Sequence, residues 1–250
     1  MHLLKGIDLN KSFGGLKAIN NVSLHVTGGE LCSIIGPNGA GKSTLFNLLT
    51  GYHPVDSGKI FFKDKEITSW SIHRRARLGV ARAFQVSSIF ESMTVMENIR
   101  TALIAQAGKA VTFFRPAKTL VKQETWEILE TCGLLEKRDT IAANLSQGDK
   151  KLLELGIAIG GSPDMLFLDE PTAGMSAEEG LRTMQIIASL NRNKKLTILF
   201  TEHDMDVVFG YSQRVTVLHQ GTIIAEGDPE AIRSNSEVQR VYLGEENRNA

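Results

Sequence analysis

The chain has 250 residues, enough for one or two domains with a large buried core, and its 42% apolar and 22% charged content excludes wholesale disorder. Lys plus Arg and Asp plus Glu number 28 each, so zero net charge removes any bulk electrostatic pull toward nucleic acid and fits a subunit of a larger assembly. No run approaches the ~18 apolar residues of a spanning helix, residues 1–5 lack the apolar core of a signal peptide, and Cys32 and Cys132 make no disulfide framework. A cytoplasmic protein that does not itself cross a membrane is expected.

The first thirty-five residues read as strands. Val22-Ser23-Leu24-His25-Val26 alternates apolar and polar, the period of a half-buried strand, and Gly28-Gly29 turns the chain. Leu31–Ile35 is more continuously apolar and predicts a more buried strand. A Gly-rich loop and a helix over Lys42–Thr50 follow. Residues 58–62 and Val80–Phe84 predict further strands. From Thr94 to Gly160 the pattern is helical: Thr94-Val95-Met96-Glu97 is a capping box, Gly108–Pro116 interrupts, and Lys118–Cys132 resumes, with Gly133 as a stop. Strands return at Met165–Asp169, Leu196–Thr201, Arg214–His219 and Thr222–Glu226, with Ser176-Ala177-Glu178-Glu179 capping the helix between the first two. Residues 245–250 are polar and predicted to fray. The pattern predicts a mixed α/β body with a helical insertion of about sixty residues.

Gly36-Pro37-Asn38-Gly39-Ala40-Gly41-Lys42-Ser43 fits G-x-x-x-x-G-K-[ST] in full, between an apolar strand and an apolar helix. A triphosphate needs several donors at close range. Glycines let the backbone curl and turn its N–H groups inward, and the helix start adds its positive dipole end. Lys42 adds a mobile cation for the β- and γ-phosphates, and Ser43 offers a hydroxyl to Mg²⁺. Thr44 continues the same turn.

Met165-Leu166-Phe167-Leu168 ends in Asp169-Glu170-Pro171. Two acids at the end of a buried strand are costly unless used, and the carboxyl end of a parallel sheet is where ligands sit. Asp169 then suits Mg²⁺, and Glu170 suits the attacking water. The plainer alternative is that both acids leave the strand into solvent. Asp169 lies 127 residues after Lys42, a gap that must house the helical insertion.

These motifs, with others in order, resemble the ATPase subunit of ATP-binding cassette transporters over nearly the whole chain. Gln85 resembles the family's glutamine loop, Leu145-Ser146-Gln147-Gly148-Asp149 its signature sequence, and His203 its switch histidine. Phe13 resembles the aromatic that stacks on adenine, and Ala173-Gly174-Met175-Ser176 the loop that communicates across the dimer. The signature departs from the commoner form at Gln147 and Asp149. Asp149 would repel a phosphate if it faced one, and is expected instead to face its own first-turn amides. Ser146 to Asp149 also reads as a plain helix cap.

The resemblance implies one ATPase domain over 1–250: a phosphate-loop NTPase core with a mixed sheet, an antiparallel β subdomain and a helical subdomain inserted at about 86–160. It implies ATP and Mg²⁺ as cofactors. Phe13, the loop Gly36–Thr44, Ser146 and Gly148 would bind nucleotide, and Ser43, Gln85 and Asp169 would serve the metal. Glu170, His203 and Gln85 would serve catalysis, with Ser146 and Gly148 lent by a second copy or a paralogue. It further implies transmembrane permease subunits as partners, a substrate-binding protein indirectly, no nucleic acid, and a peripheral position on the cytoplasmic face of the membrane.

Ser12–Ala18, Phe84-Gln85, Met93–Ile99, Glu226-Gly227-Asp228-Pro229 and Val238–Gly244 look like the branched-chain amino-acid importer branch. Urea and short-chain amide importers share these features, and a lipopolysaccharide-type exporter ATPase or a non-transport cassette protein remains as an alternative. A GTPase is disfavoured, because Asn193-Lys194-Lys195-Leu196 lacks the Asp of N-K-x-D and no D-x-x-G occurs.

Overall fold

Strands buried on both faces need apolar side chains on both faces, which explains the unbroken apolar runs. The structure is a computed structural model that describes residues 2–84, 89–106 and 122–246. Gln85, the Gly108–Pro116 interruption and the start of the Lys118–Cys132 stretch lie outside the described residues. The elements in order are β1 (His2–Phe13), β2 (Leu16–Thr27), β3 (Leu31–Ile35), α1 (Lys42–Thr50), β4 (Ser57–Phe62), β5 (Lys65–Glu66), α2 (Ile72–Leu78), β6 (Val80–Ala83), α3 (Val95–Gln106) and α4 (Lys122–Thr131). They continue with α5 (Gln147–Gly160), β7 (Met165–Asp169), α6 (Ala177–Lys194), β8 (Thr197–Thr201), α7 (Met205–Tyr211), β9 (Arg214–His219), β10 (Thr222–Gly227), α8 (Pro229–Arg233) and α9 (Ser236–Glu246).

Two sheets form. One is antiparallel, ordered β2-β1-β4-β5. The other, β10-β9-β3-β8-β7-β6, is parallel except for its antiparallel β9–β10 edge. The mixed-sheet α/β fold and the antiparallel β layer expected from the resemblance are both present.

Side-chain alternation along the parallel strands feeds two cores. Leu166, Leu168, Ile198 and Phe200 point to the face covered by α3, α5 and α6. Met165, Phe167, Leu199, Cys32 and Ile34 point to the face packed on α1 and the antiparallel sheet. There Phe46 of α1 meets Phe167 edge-on, with ring centroids 5.4 Å apart. Helices α3, α4 and α5, which lie between β6 and β7 in the chain, meet at Gly156. A Cβ at that position would lie 3.2 Å from Ile128 and 3.4 Å from both Cys132 and Ile99.

The predicted capping box at Thr94 and the predicted cap at Ser176 both form. Glu97 N–H donates to Thr94 Oγ1 (3.1 Å) while Thr94 N–H donates to Glu97 Oε2 (2.9 Å), and Ser176 and Glu179 reciprocate at the start of α6. Four short helices were not predicted: α2, α7, α8 and α9. Helix α9 runs on to Glu246, two residues into the stretch expected to fray. Helix α2 escaped notice because the side chain it buries is not apolar but Arg75. Among the described residues no helix is long and apolar enough to cross a membrane.

Candidate functional site

The predicted phosphate loop joins β3 to α1, at the carboxyl end of a strand flanked by β8 and β9. Its main chain is locked to two other elements by backbone atoms. Gly221 N–H, in the β9–β10 turn, donates to Ala40 O (2.9 Å), and Asn20 N–H of β2 donates to Gly221 O (2.8 Å). A Cβ at Gly41 (φ +107°) would stand 2.6 Å from Ala18 O, and one at Gly221 (φ +78°) 2.8 Å from the same oxygen. Only glycine permits both approaches. Lys42 Nζ donates to Gly36 O (2.5 Å) and Pro37 O (3.1 Å), which keeps the ammonium at the loop.

A cleft of about 560 Å³ opens over this loop, within the usual range for a small-molecule site. Residues Asn38 to Thr44 line it, together with Phe13, Glu170 and His203. Phe13 is 44% exposed, its ring edge-on to His53 and 5.4 Å from Lys11 Nζ. The cleft therefore combines a cradle of backbone donors, a cation and an aromatic face, a donor set that suits a nucleotide.

The two carboxylates that end β7 have different surroundings. Asp169 pairs in register with Thr201 of β8. Its Oδ1 accepts from Thr201 Oγ1 (2.7 Å) and its Oδ2 from Arg82 Nη2 (2.9 Å). Arg82 also donates from Nη1 to Asn47 Oδ1 on α1 (2.6 Å), while its Nε is buried without a hydrogen-bond partner. Burial lowers the Arg82 pKa, and Asp169 offsets part of that shift. Asp169 thus sits in a polar frame that spans β6, β8 and α1.

Glu170 is the first residue after the strand and has a left-handed backbone, φ +51°. For a residue with a Cβ this costs about 1–2 kcal/mol. Its N–H donates to Thr201 O (3.1 Å) and to Thr201 Oγ1 (3.2 Å). Its carboxylate reaches His203, with Nε2 3.0 Å from Oε1, and the pair lines the cleft. Behind it Glu202, 3% exposed, accepts from Thr172 N–H (2.8 Å) and Thr172 Oγ1 (2.5 Å) through Oε1, and from His203 N–H (3.0 Å) through Oε2. Arg82, Thr201 and Glu202 were not singled out from the sequence. An arginine inside a short strand and an acid beside a histidine match no spacing rule.

The donor chemistry suits Mg²⁺. Ser43, in the cleft lining, offers a hydroxyl oxygen, and Asp169, which ends β7 just before the cleft-lining Glu170, offers a carboxylate that is paired with Arg82. Such a site is completed by phosphate oxygens and water.

Ser146 and Gly148 lie elsewhere. They border a separate recess of about 100 Å³ with Lys137, Asp149 and Glu179. Ser146 N-caps α5 by accepting from Asp149 N–H (3.1 Å). The Asp149 carboxylate departs from expectation. It does not turn to the first-turn amides but is buried at 6% exposure, where it accepts from the Ser146 hydroxyl (2.9 Å) and the Lys137 ammonium. A buried carboxylate needs a cation more than it needs the helix dipole, and Lys137 supplies one.

The family model described as "ABC transporter" matches residues 19–173, and that of the "Branched-chain amino acid ATP-binding cassette transporter" matches residues 222–247. The chain is 42% identical to the high-affinity branched-chain amino acid transport ATP-binding protein LivG of Escherichia coli, over 97% of this chain and 98% of that one. It is 38% identical to the corresponding protein BraF of Pseudomonas aeruginosa, again over 97% and 98%. The crystal structure of the ADP conformation of MJ1267, an ATP-binding cassette of an ABC transporter, superposes with a TM-score of 0.86 at 33% identity, over 98% of this chain and 99% of that one. The chain belongs to the ABC transporter family, as its ATP-binding and ATP-hydrolysing component.

Proposed function

We propose that this ATPase drives the import of branched-chain or similar hydrophobic amino acids. The match of residues 222–247 to the branched-chain amino-acid cassette model supports that cargo class, as do the names of the relatives. Its partners are permease subunits at the cytoplasmic face of a membrane and, through them, a substrate-binding protein. Residues of about 86–160, including α3 to α5, form the subdomain that carries motion to the permease.

The joint presence of Phe13, Lys42, Glu170 and His203 around one cleft carries the hydrolytic reading. Adenine stacks on Phe13, and the loop amides of Gly36 to Thr44 and Lys42 hold the phosphates. Ser43 and Asp169 would hold Mg²⁺, and Gln85 would serve it as the resemblance implies; when bound, the metal would neutralise charge on the β- and γ-phosphates. Glu170 takes a proton from water as the water oxygen bonds to the γ-phosphorus. The bond to the β–γ bridging oxygen breaks, and ADP and phosphate leave. His203 orients Glu170 and contacts the γ-phosphate. Ser146 and Gly148 border a different recess, which supports their service to the nucleotide of a second copy.

The Glu170→Gln variant tests this. It keeps the shape and removes the base, so ATP binding should persist while turnover falls by a factor of about 10²–10⁴. ATP-bound dimers should then accumulate on size-exclusion chromatography. Turnover at the wild-type rate would reject Glu170 as the base. Co-purification with a multi-span permease and its binding protein would test the cargo.

A further inference from the structure

The loop after β7 is gripped from two sides. Glu202 holds Thr172 through its N–H and its hydroxyl. On the other side Lys151, in the second turn of α5, donates from Nζ to Glu170 O (2.9 Å) and Ala173 O (2.8 Å), with a longer contact to Pro171 O (3.4 Å). The same ammonium lies 5.6 Å from the centre of the Phe84 ring, the residue before Gln85. A lysine whose bonds go to main-chain carbonyls of one short loop fixes that loop's path, because each carbonyl dipole must face the cation. One of those carbonyls belongs to Glu170, whose left-handed φ of +51° needs external support. Burial lowers the Lys151 pKa, and the carboxylates of Glu202, Glu154 and Glu170 act against that shift.

We infer that Lys151 is a positioning residue for hydrolysis: from the signature helix it holds the Glu170 main chain in the strained conformation that aims the carboxylate at His203 and the cleft. Ser146 caps the helix that carries Lys151, so a shift of the α5 N-terminus on contact with a second copy's nucleotide would reach the Glu170 loop of its own chain through this ammonium. Without Lys151 the loop relaxes toward ordinary backbone angles, and the carboxylate swings away from the attacking water. Phosphate binding does not change, because the loop of Gly36 to Thr44 is held by other atoms.

The inference rests on Glu170 as the base, so the experiment carries both. ATP turnover and nucleotide affinity are measured on the full chain for wild type, Lys151→Met, Lys151→Arg, Lys151→Gln and Glu170→Gln, with thermal melting for each. Lys151→Met should lower kcat roughly 100-fold, the scale of a misplaced catalytic group. Its nucleotide Kd should stay within about twofold. Lys151→Arg, which still donates to carbonyls, should recover most of kcat, and Lys151→Gln should fall between. If Lys151→Met melts below the assay temperature, the graded Gln and Arg variants carry the same comparison. A wild-type kcat in Lys151→Met or Lys151→Gln overturns the inference while Glu170→Gln remains dead. Equal losses of kcat and affinity without rescue by Arg also overturn it, since that is the mark of a merely structural tie. Turnover retained in Glu170→Gln overturns the underlying reading instead, and the inference with it.

Discussion

The buried carboxylate of Asp149 needs a cation, and a turn before α5 supplies Lys137. That lysine lies 12 residues before Asp149 in a short 3₁₀ turn, Leu135–Lys137, so no local motif announces it. The consequence falls on Ser146, whose hydroxyl proton points to the Asp149 carboxylate. To serve a second copy's nucleotide it must leave that acceptor, at a cost of about 1 kcal/mol. Asp149→Asn weakens the acceptor and should tighten the ATP-driven dimer about fivefold. Sedimentation in the Glu170→Gln background measures it, and a weaker dimer would show that the carboxylate helps rather than hinders. Lys42, Ser43 and Glu170, expected from motif chemistry, and His203, expected from the resemblance, line one cleft, and Asp169 ends the strand just before Glu170. Arg82, Lys137, Lys151 and Glu202 were not legible in the sequence, because each acts across the fold on groups far away in the chain.

Long apolar or strictly alternating runs gave their elements to within a residue or two: β3, α1, β7 and β9 begin and end where the pattern predicts. Helix α2 shows why other elements stayed hidden. Its buried anchor Arg75 is 2% exposed and donates to four main-chain carbonyls: Leu48 O, Leu49 O, Trp70 O and Thr68 O. Leu48 O and Leu49 O belong to the last turn of α1, where a cation is favoured. Burial lowers the Arg75 pKa to about 10, which still leaves it charged at neutral pH. Arg75→Met keeps the volume and removes the donors, so it should destabilise the fold by about 2–4 kcal/mol in denaturant titration. The neighbouring Arg74, stacked on the Trp70 ring at 3.6 Å, provides the contrast. Arg74→Met should cost less than about 1 kcal/mol, as a cation–π contact at the surface does. Equal effects would mean that the carbonyl bonds of Arg75 contribute little.

Among the described residues, two apolar cores are divided by one sheet, and each core holds one thiol. Cys132 lies among α3, α4 and α5, while Cys32 lies on β3 in the core beneath α1. Burial pushes the Cys132 pKa up to about 12 and that of Cys32 higher still, so neither forms a thiolate at neutral pH. In native buffer both should react with a maleimide more than about a thousandfold slower than in the unfolded chain. Because β3, β7 and β8 feed both cores, the two thiols should become reactive at the same denaturant midpoint, read by mass spectrometry. An earlier midpoint for Cys132 would mean that the helices open without the sheet.

The junction at Ala18 adds a different kind of constraint. Three stretches from separate parts of the chain meet there, with Gly41 and Gly221 crowding a single peptide oxygen. The side chains of Ile19 and Leu218 close on Gly41 as well, so a Cβ there would meet both a peptide oxygen and apolar atoms. What descent must preserve is the emptiness at two α-carbons, and through it the rigid coupling between the Ala18 stretch and the loop of Asn38 to Thr44, which line one cleft.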